Sequence, residues 1–189
     1  PETSTQNRAM MGGMLGNNSC GSNSIKYGSV RDHILEVTAF LSDGSKAVFG
    51  SLDTKGFQEK CAGPDSLETR LYREIHKMLA PVEVRDEITR EFPKKSIPRR
   101  NTGYALDLLM DASCFDPASD KPFNFGKLIA GSEGTLCFIT EIKLHCDPLP
   151  PPVVGLLCGH FETVDQALRA TQIVVQYDCF DCELIDRFI

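Results

Sequence analysis

The chain has 189 residues, 41% of them hydrophobic and 24% charged, with 26 acidic against 20 basic side chains and a formal net charge of −6. This composition is ordinary for a folded globular protein and excludes a disordered one. The acidic balance argues against a nucleic-acid partner, whose phosphates favour a basic face, and no apolar run approaches the roughly 18 residues that a membrane helix needs. No basic-then-apolar leader marks secretion, so a cytoplasmic setting is expected. The chain begins at Pro1 and ends inside the apolar pattern Glu183 to Ile189, which reads as an excised internal fragment.

The first informative stretch is Gly12 to Gly28, GGMLGNNSCGSNSIKYG. Gly12, Gly13, Gly16, Gly21 and Gly28 stand among Asn17, Asn18, Ser19, Ser22, Asn23 and Ser24, a mixture expected neither to propagate a helix nor to fill a core. Glycines permit positive φ and bring N–H groups close to an anion, while short amides and hydroxyls add donors and acceptors. That is the chemistry of a cofactor loop; an ordinary surface loop is the alternative for the run taken alone. The spacing is neither GxGxxG after a strand nor GxxxxGK[ST], so neither Rossmann nor P-loop geometry is indicated.

His33 to Gly50 predicts a hairpin. Ile34, Val37, Ala39 and Leu41, then Ala47, Val48 and Phe49, supply apolar faces around a Ser42-Asp43-Gly44 turn. A helix is expected to start near Pro64-Asp65-Ser66, with Leu67, Leu71, Ile75, Met78 and Leu79 as its core stripe, and His76 beside it as a packed or exposed side chain rather than a ligand. Val82 to Phe92 reads as a charged helix stopped by Pro93. Pro93 to Arg100 reads as a basic loop in which Arg99 or Arg100 is a candidate for an anionic ligand. Asn101 to Met110 reads as a short helix followed by a loop over 112–124.

Lys127 to Ala130 leads into Gly131-Ser132-Glu133-Gly134-Thr135 and then a strand over 136–144. The prolines at 148 and 150–152 require an extended linker. Beyond it, Val153 to Phe161 reads as a strand and Thr163 to Gln176 as a helix with Thr163 as N-cap. The eight cysteines are scattered and expected to be thiols. The Cys179/Cys182 pair has no second pair or two histidines to complete a zinc site, and no spacing matches a ferredoxin cluster, so no metal site is assigned. The fold class expected from these elements is α+β, a mainly antiparallel sheet flanked by helices.

Taken in order, GGMLGNNSCGSNSIKYG, EVTAFLSDGS and LIAGSEGTLCFITEIKL resemble the FAD-binding domain of the PCMH-type, vanillyl-alcohol oxidase superfamily of FAD-linked oxidases. That family includes D-lactate and D-2-hydroxyglutarate dehydrogenases and glycolate oxidase. RRNTGYALDLLMD resembles the stretch preceding GSEGT in the 2-hydroxyacid branch, in particular its large members fused to an iron–sulfur module. The resemblance implies that 1–147 is the larger, C-terminal lobe of the FAD-binding domain, that 148–152 is a linker, and that 153–189 begins an α+β cap domain, where ELID at 183–186 matches a family motif.

It further implies hydride transfer from a D-2-hydroxy acid (D-lactate, D-2-hydroxyglutarate or glycolate type) to FAD, with an electron acceptor it does not identify and any iron–sulfur cluster outside this chain. Peripheral membrane attachment would come only through the rest of the protein. Gly12, Gly13, Gly16, Asn17, Asn18, Gly21, Ser24, Tyr27 and Gly28 carry over as flavin-loop candidates, and Glu133, Gly134 and Ile139 as a second group. No catalytic residue is assigned, since the family's base and substrate ligands belong mainly to the cap. Cys20 and Cys137 replace the small residues or glycine usual at their positions. The smaller lobe with the pyrophosphate loop has no match here, with Pro1 to Thr5 corresponding to the stretch just after it, so the chain alone is expected to hold little FAD. Two alternatives stay open: the FAD subunit of another oxidoreductase class sharing the fold, and a flavin-free binding module.

Overall fold

The computed structural model describes residues 3, 5–97, 100 and 103–187. The expectations placed on Pro1, Glu2 and Ser4, on Pro98 and Arg99, on Asn101 and Thr102, and on Phe188 and Ile189 lie outside those residues. In chain order the elements are α1 (Met11–Gly16), α2 (Ser24–Tyr27), a 3-10 turn (Val30–His33), β1 (Ile34–Phe40), β2 (Lys46–Phe49), α3 (Thr54–Ala62), α4 (Leu67–Leu79), α5 (Val82–Glu91), α6 (Leu106–Met110), α7 (Gly126–Ile129), β3 (Phe138–Leu144), α8 (Val164–Val174) and a second 3-10 turn (Val175–Tyr177).

The sheet has the order β2-β1-β3 and both pairings are antiparallel, in agreement with the α+β expectation. In the hairpin, Val37 pairs with Phe49 and Ala39 with Ala47. Its turn is closed by Asp43, whose Oδ1 accepts from Ser45 N at 2.9 Å and Ser45 Oγ at 2.6 Å. Successive strand residues point to opposite faces, yet Val37, Thr38 and Ala39 are all buried, so the middle strand is covered on both faces there. β3 returns to the other edge of β1, matching Val37 with Ile142 and Phe40 with Phe138.

Beside the sheet lies an aromatic core. Phe57, Tyr72 and Phe123 are each 1% exposed, and Phe123 has ring centroids 4.7 Å from Phe57 and 4.9 Å from Phe125. Leu52 and Phe123 exchange two backbone hydrogen bonds of 2.8 Å, which hold the irregular 112–124 segment under α3. Two side-chain caps start the helices here: Asp53 Oδ1 accepts from Gly56 N and Ser66 Oγ from Thr69 N. His76, an exposed side chain, stacks on Phe115 at 6.0 Å and faces Phe57 at 5.9 Å.

The structure corrects several expectations. The Gly12–Gly28 run does form helix, α1 and α2, and it does enter the core: Leu15 is fully buried and Met14 nearly so. Two apolar side chains at one helix end sufficed to outweigh the glycines. In α4, Leu71 and Met78 are 37% and 49% exposed, and the centre of the stripe is Tyr72. Rotating the helix this way lets a large ring join the aromatic cluster and bury more apolar area than Leu or Met would. α3 and α7 were not expected at all. Val153 to Phe161 forms no strand; Val153, Leu156 and Leu157 are 83%, 92% and 87% exposed, and no described strand pairs with them. α8 and its Thr163 cap are as expected, with Thr163 Oγ1 accepting from Gln166 N. Among the described residues no helix is long and apolar enough to cross a membrane.

Placing Tyr72 and Phe123 in the core and Met78 outside it has a measurable consequence. In chemical denaturation, Phe123→Ala should cost about 3–5 kcal/mol, whereas Met78→Ala should stay within about 0.5 kcal/mol. Equal losses would restore the Leu71/Met78 face as the core stripe.

Candidate functional site

α1 ends where the Ser132–Thr135 turn begins to pack against it. Leu15 O accepts from Gly131 N at 3.1 Å and Gly16 O from Glu133 N at 2.9 Å, so two consecutive carbonyls at the helix end are capped by a segment far along the chain. Asn17 Nδ2 adds a hydrogen bond of 2.8 Å to Glu133 Oε1 across 116 positions. A Cβ on Gly16 would stand 3.7 Å from Gly134 N, an ordinary contact distance, so the two backbones lie within one side-chain atom of each other.

The turn has two successive left-handed residues, Glu133 at φ 51° and Gly134 at φ 74°. Thr135 closes it, donating from its N at 3.0 Å and its Oγ1 at 2.6 Å to Ser132 O. Tyr104 Oη lies 2.7 Å from the same Oγ1. A strand follows the turn, and Ile139 on it pairs with Ala39 beside a bulge. Ile139 is half-buried and packs on the core.

Behind the junction sits a buried charged residue that composition and motif gave no reason to single out. Arg31 is 4% exposed; its Nη2 donates to Gly103 O at 2.7 Å and to Ala130 O at 2.5 Å. Its backbone N donates to Asn18 Oδ1 at 2.8 Å, and its carbonyl accepts from Lys127 Nζ at 2.6 Å. Burial lowers the pKa of the Arg31 guanidinium, opposed by Asp107 and Asp32, and burial likewise lowers that of Lys127, opposed by Asp32. Asn18 is 1% exposed and adopts φ 50°, so this candidate serves as internal scaffolding through its Oδ1.

The remaining loop candidates form a second sector. Gly21 O accepts from Ser24 N at 3.1 Å, and Ser24 is buried in α2. The Tyr27 ring lies 5.9 Å from Phe180, beside the Lys26–Asp178 ion pair at 2.5 Å. Gly28 adopts φ 70°, and a Cβ there would meet Asp32 Oδ2 at 2.6 Å. Asp32 is occupied in a capping box with Ser29, accepting from Ser29 N at 2.7 Å. The structure therefore joins Gly16, Asn17, Glu133 and Gly134 in direct contact, adds Asn18 behind them through Arg31, and places Gly21 to Gly28 along α2.

Arg100 is ion-paired with Asp107 and donates to Pro93 O at 3.3 Å. Both line a cavity of about 250 Å³ with Ile88, Phe92, Lys95 and Met110. Its charge is thus engaged inside the chain. Cys182 Sγ lies 4.0 Å from Thr171 Oγ1, and among the described residues no group of three His, Cys, Asp or Glu side chains is placed to hold a metal.

The residues present fit a flavin on two observations. Gly12, Gly13 and Gly134 are exposed and have open space where a Cβ would stand. Asn18 Nδ2 and Ser132 Oγ are buried polar atoms without a partner inside the chain, and such atoms ordinarily have one.

Residues 1–49 match the family profile of the FAD binding domain. Full-length similarity points the same way. The chain is 31% identical over 188 residues to D-2-hydroxyglutarate dehydrogenase of Pseudomonas putida and 32% identical over 190 residues to the proteins of that name from Pantoea ananatis and Escherichia coli. Each comparison covers 98% of this chain and 17% of the relative. The chain thus spans about a sixth of the length of the curated relatives it matches. The match over 1–49 contains α1, α2 and the hairpin, and the GSEGT turn that packs on α1 lies within the longer similarity.

Two outcomes follow from this geometry. Gly134→Ala should cost about 1 kcal/mol in stability, since an L residue is strained at positive φ although space exists for its Cβ. An unchanged denaturation midpoint would remove the turn's conformational requirement. The second concerns thiols: burial pushes Cys114 up to about 11 and also raises Cys137, whereas Cys146 and Cys158 are exposed. Only the thiolate is nucleophilic, so at pH 8 about one Cys114 in a thousand is reactive. Mass spectrometry of iodoacetamide-treated folded chain should find Cys146 and Cys158 modified first; early labelling of Cys114 would contradict its burial.

Proposed function

We propose that this chain is the flavin-facing part of an FAD-dependent dehydrogenase that oxidises a D-2-hydroxy acid, with 1–147 as the larger lobe of its FAD-binding domain and 153–189 as the start of a substrate-covering cap. The observation that carries the reading is the junction of Gly16 and Asn17 with Glu133 and Gly134. Two glycine-bearing segments, the first within the match to the FAD binding domain and the second resembling a flavin-domain motif, meet over a backbone-to-backbone contact with open space at Gly134.

When bound, FAD supplies the two-electron acceptor that oxidation of a 2-hydroxy acid to a 2-oxo acid needs. The chain's own part is placement. Gly12, Gly13 and Gly134 leave main chain accessible to the cofactor, Asn17 and Glu133 fix the two segments against each other, and Asn18 and Ser132 hold polar atoms ready behind them. Gly21, Ser24, Tyr27 and Gly28 continue the loop along α2, and Ile139 lies on β3 opposite Ala39. The base that removes the hydroxyl proton and the groups that hold the substrate carboxylate belong to the cap and not to these residues. D-2-hydroxyglutarate is the first substrate to test, because the relatives are named for it. An iron–sulfur module elsewhere in the protein and a cytoplasmic setting complete the proposal, on the resemblance of RRNTGYALDLLMD to the large fused members.

The full-length protein should purify with flavin absorbance near one FAD per chain and reduce an artificial acceptor with a D-2-hydroxy acid but not with its L enantiomer. Iron and acid-labile sulfide analysis of the same sample tests the fused module. Colourless protein that takes up no added FAD would leave the flavin-free binding module as the reading.

A further inference from the structure

We propose that Arg31 is the positioning residue that holds the two halves of the flavin-facing junction in register and thereby sets the affinity for FAD; this rests on reading that junction as flavin-facing. Arg31 contacts nothing reactive itself. Its guanidinium reaches two main-chain carbonyls, Gly103 O and Ala130 O, and its backbone N is held by Asn18, just past the end of α1 in the glycine loop. Its carbonyl accepts from Lys127 on α7. One side chain and its peptide groups therefore tie the glycine loop, the segment at Gly103 and the lead-in to the Ser132–Thr135 turn to a single point.

Three details show that the point is built for an arginine. Gly131 adopts φ 86°, and a Cβ there would lie 2.6 Å from Arg31 Nη2, so the chain passes directly over the guanidinium. Asp107, which it shares with Arg100, and Asp32 offset part of the cost of a buried cation, and an arginine stays charged where a lysine would shed its proton. Finally, Arg31 Nε, Asn18 Nδ2 and Ser132 Oγ are all buried and unpartnered within the chain. They belong to the arginine, to the residue that holds its backbone N and to the neighbour of Gly131. Buried donors left unmade are costly, and an oxygen from a ligand or an internal water is what completes such a set. Without Arg31 the turn would keep its hydrogen bonds to Leu15 O and Gly16 O but lose its anchor at Ala130.

The test uses the full-length protein, stripped of flavin and titrated with FAD. Arg31→Met keeps much of the volume and removes the donors, Arg31→Lys keeps one donor group on a shorter stem, and Arg90→Met, an exposed position on α5, is the control. Arg31→Met should weaken FAD binding by about tenfold or more and change the visible circular dichroism of the bound flavin, with Arg31→Lys intermediate and Arg90→Met like wild type. Methylguanidinium added to Arg31→Ala should recover part of the affinity, which a general loss of packing would not allow. If Arg31→Met does not fold, Arg31→Lys and the rescue decide. FAD affinity within about twofold of wild type, with unchanged flavin dichroism in the folded Met or Lys variant, would overturn the role of Arg31 and leave the flavin reading standing. Wild-type protein that takes up no FAD would overturn both.

Discussion

The pairing of β3 with β1 is the constraint from which the site follows. β1 alone can only make a hairpin with β2, and an isolated two-stranded hairpin is marginal in water. Bringing β3 to its other edge closes a loop of about a hundred residues, a cost that grows only as the logarithm of loop length and is met by burying Val37, Ala39 and the aromatic cluster. Once Phe138 is opposite Phe40, the residues just before it have nowhere to run except past the end of α1. The Ser132–Thr135 turn then meets Gly16 as a consequence of strand register, and a one-residue slip would turn every β3 side chain to the wrong face.

Register brings the turn near; polar groups decide how closely it sits. A buried arginine without compensation would be strongly destabilising, but Arg31 has acids nearby and two carbonyls as acceptors, and charge-assisted hydrogen bonds contribute more than neutral ones. Such a node converts loose packing into one geometry, because carbonyls at Gly103 and Ala130 must both face one nitrogen. Gly131 is the position that makes this possible, and its requirement is steric as well as conformational. Glycines in the GSEGT segment thus do different things: Gly131 admits an arginine, and Gly134 adopts a positive φ with open space at its Cβ position.

Much of the fold was legible because it depends on local chemistry. The Asp43-Gly44 turn, the Ser66 and Thr163 caps and the stop at Pro93 are each carried by one or two residues whose preference is strong. What was not legible depends on tertiary context. Tyr72 displaced Leu71 and Met78 from the centre of the α4 face because Phe57, Phe123 and Phe125 were waiting for a ring, and these lie as far as fifty-odd positions away. The helical start of the glycine run was hidden because Met14 and Leu15 act only once a sheet exists to receive them. For the site, the two motifs could be read and their meeting inferred only by resemblance. Arg31 could not be read at all, since a VRDH tetrapeptide looks like a solvated stretch until its carbonyl partners are in place.

The strand expected at 153–161 failed for a reason that bears on the rest of the chain. β-branched and leucine content favours a pleated surface, but a strand exists only when its N–H and C=O groups have a neighbour to pair with. Here the sheet ends at β3, and the proline linker leads away from it after a clasp in which His33 Nε2 meets Asp147 at 2.6 Å. Contacts that return to α2 include the Lys26–Asp178 pair, Lys26 Nζ over the Phe180 ring at 5.4 Å and the Tyr27–Phe180 ring contact. An exposed ion pair contributes at most about 1 kcal/mol and an aromatic pair about 0.5–1.5 kcal/mol, so this attachment is of the order of thermal energy multiplied a few times. It falls on α2, the part of the glycine loop least tied to the sheet. The loop is held by Arg31 and Glu133 at one place and meets the 178–180 segment at Lys26 and Tyr27 at another.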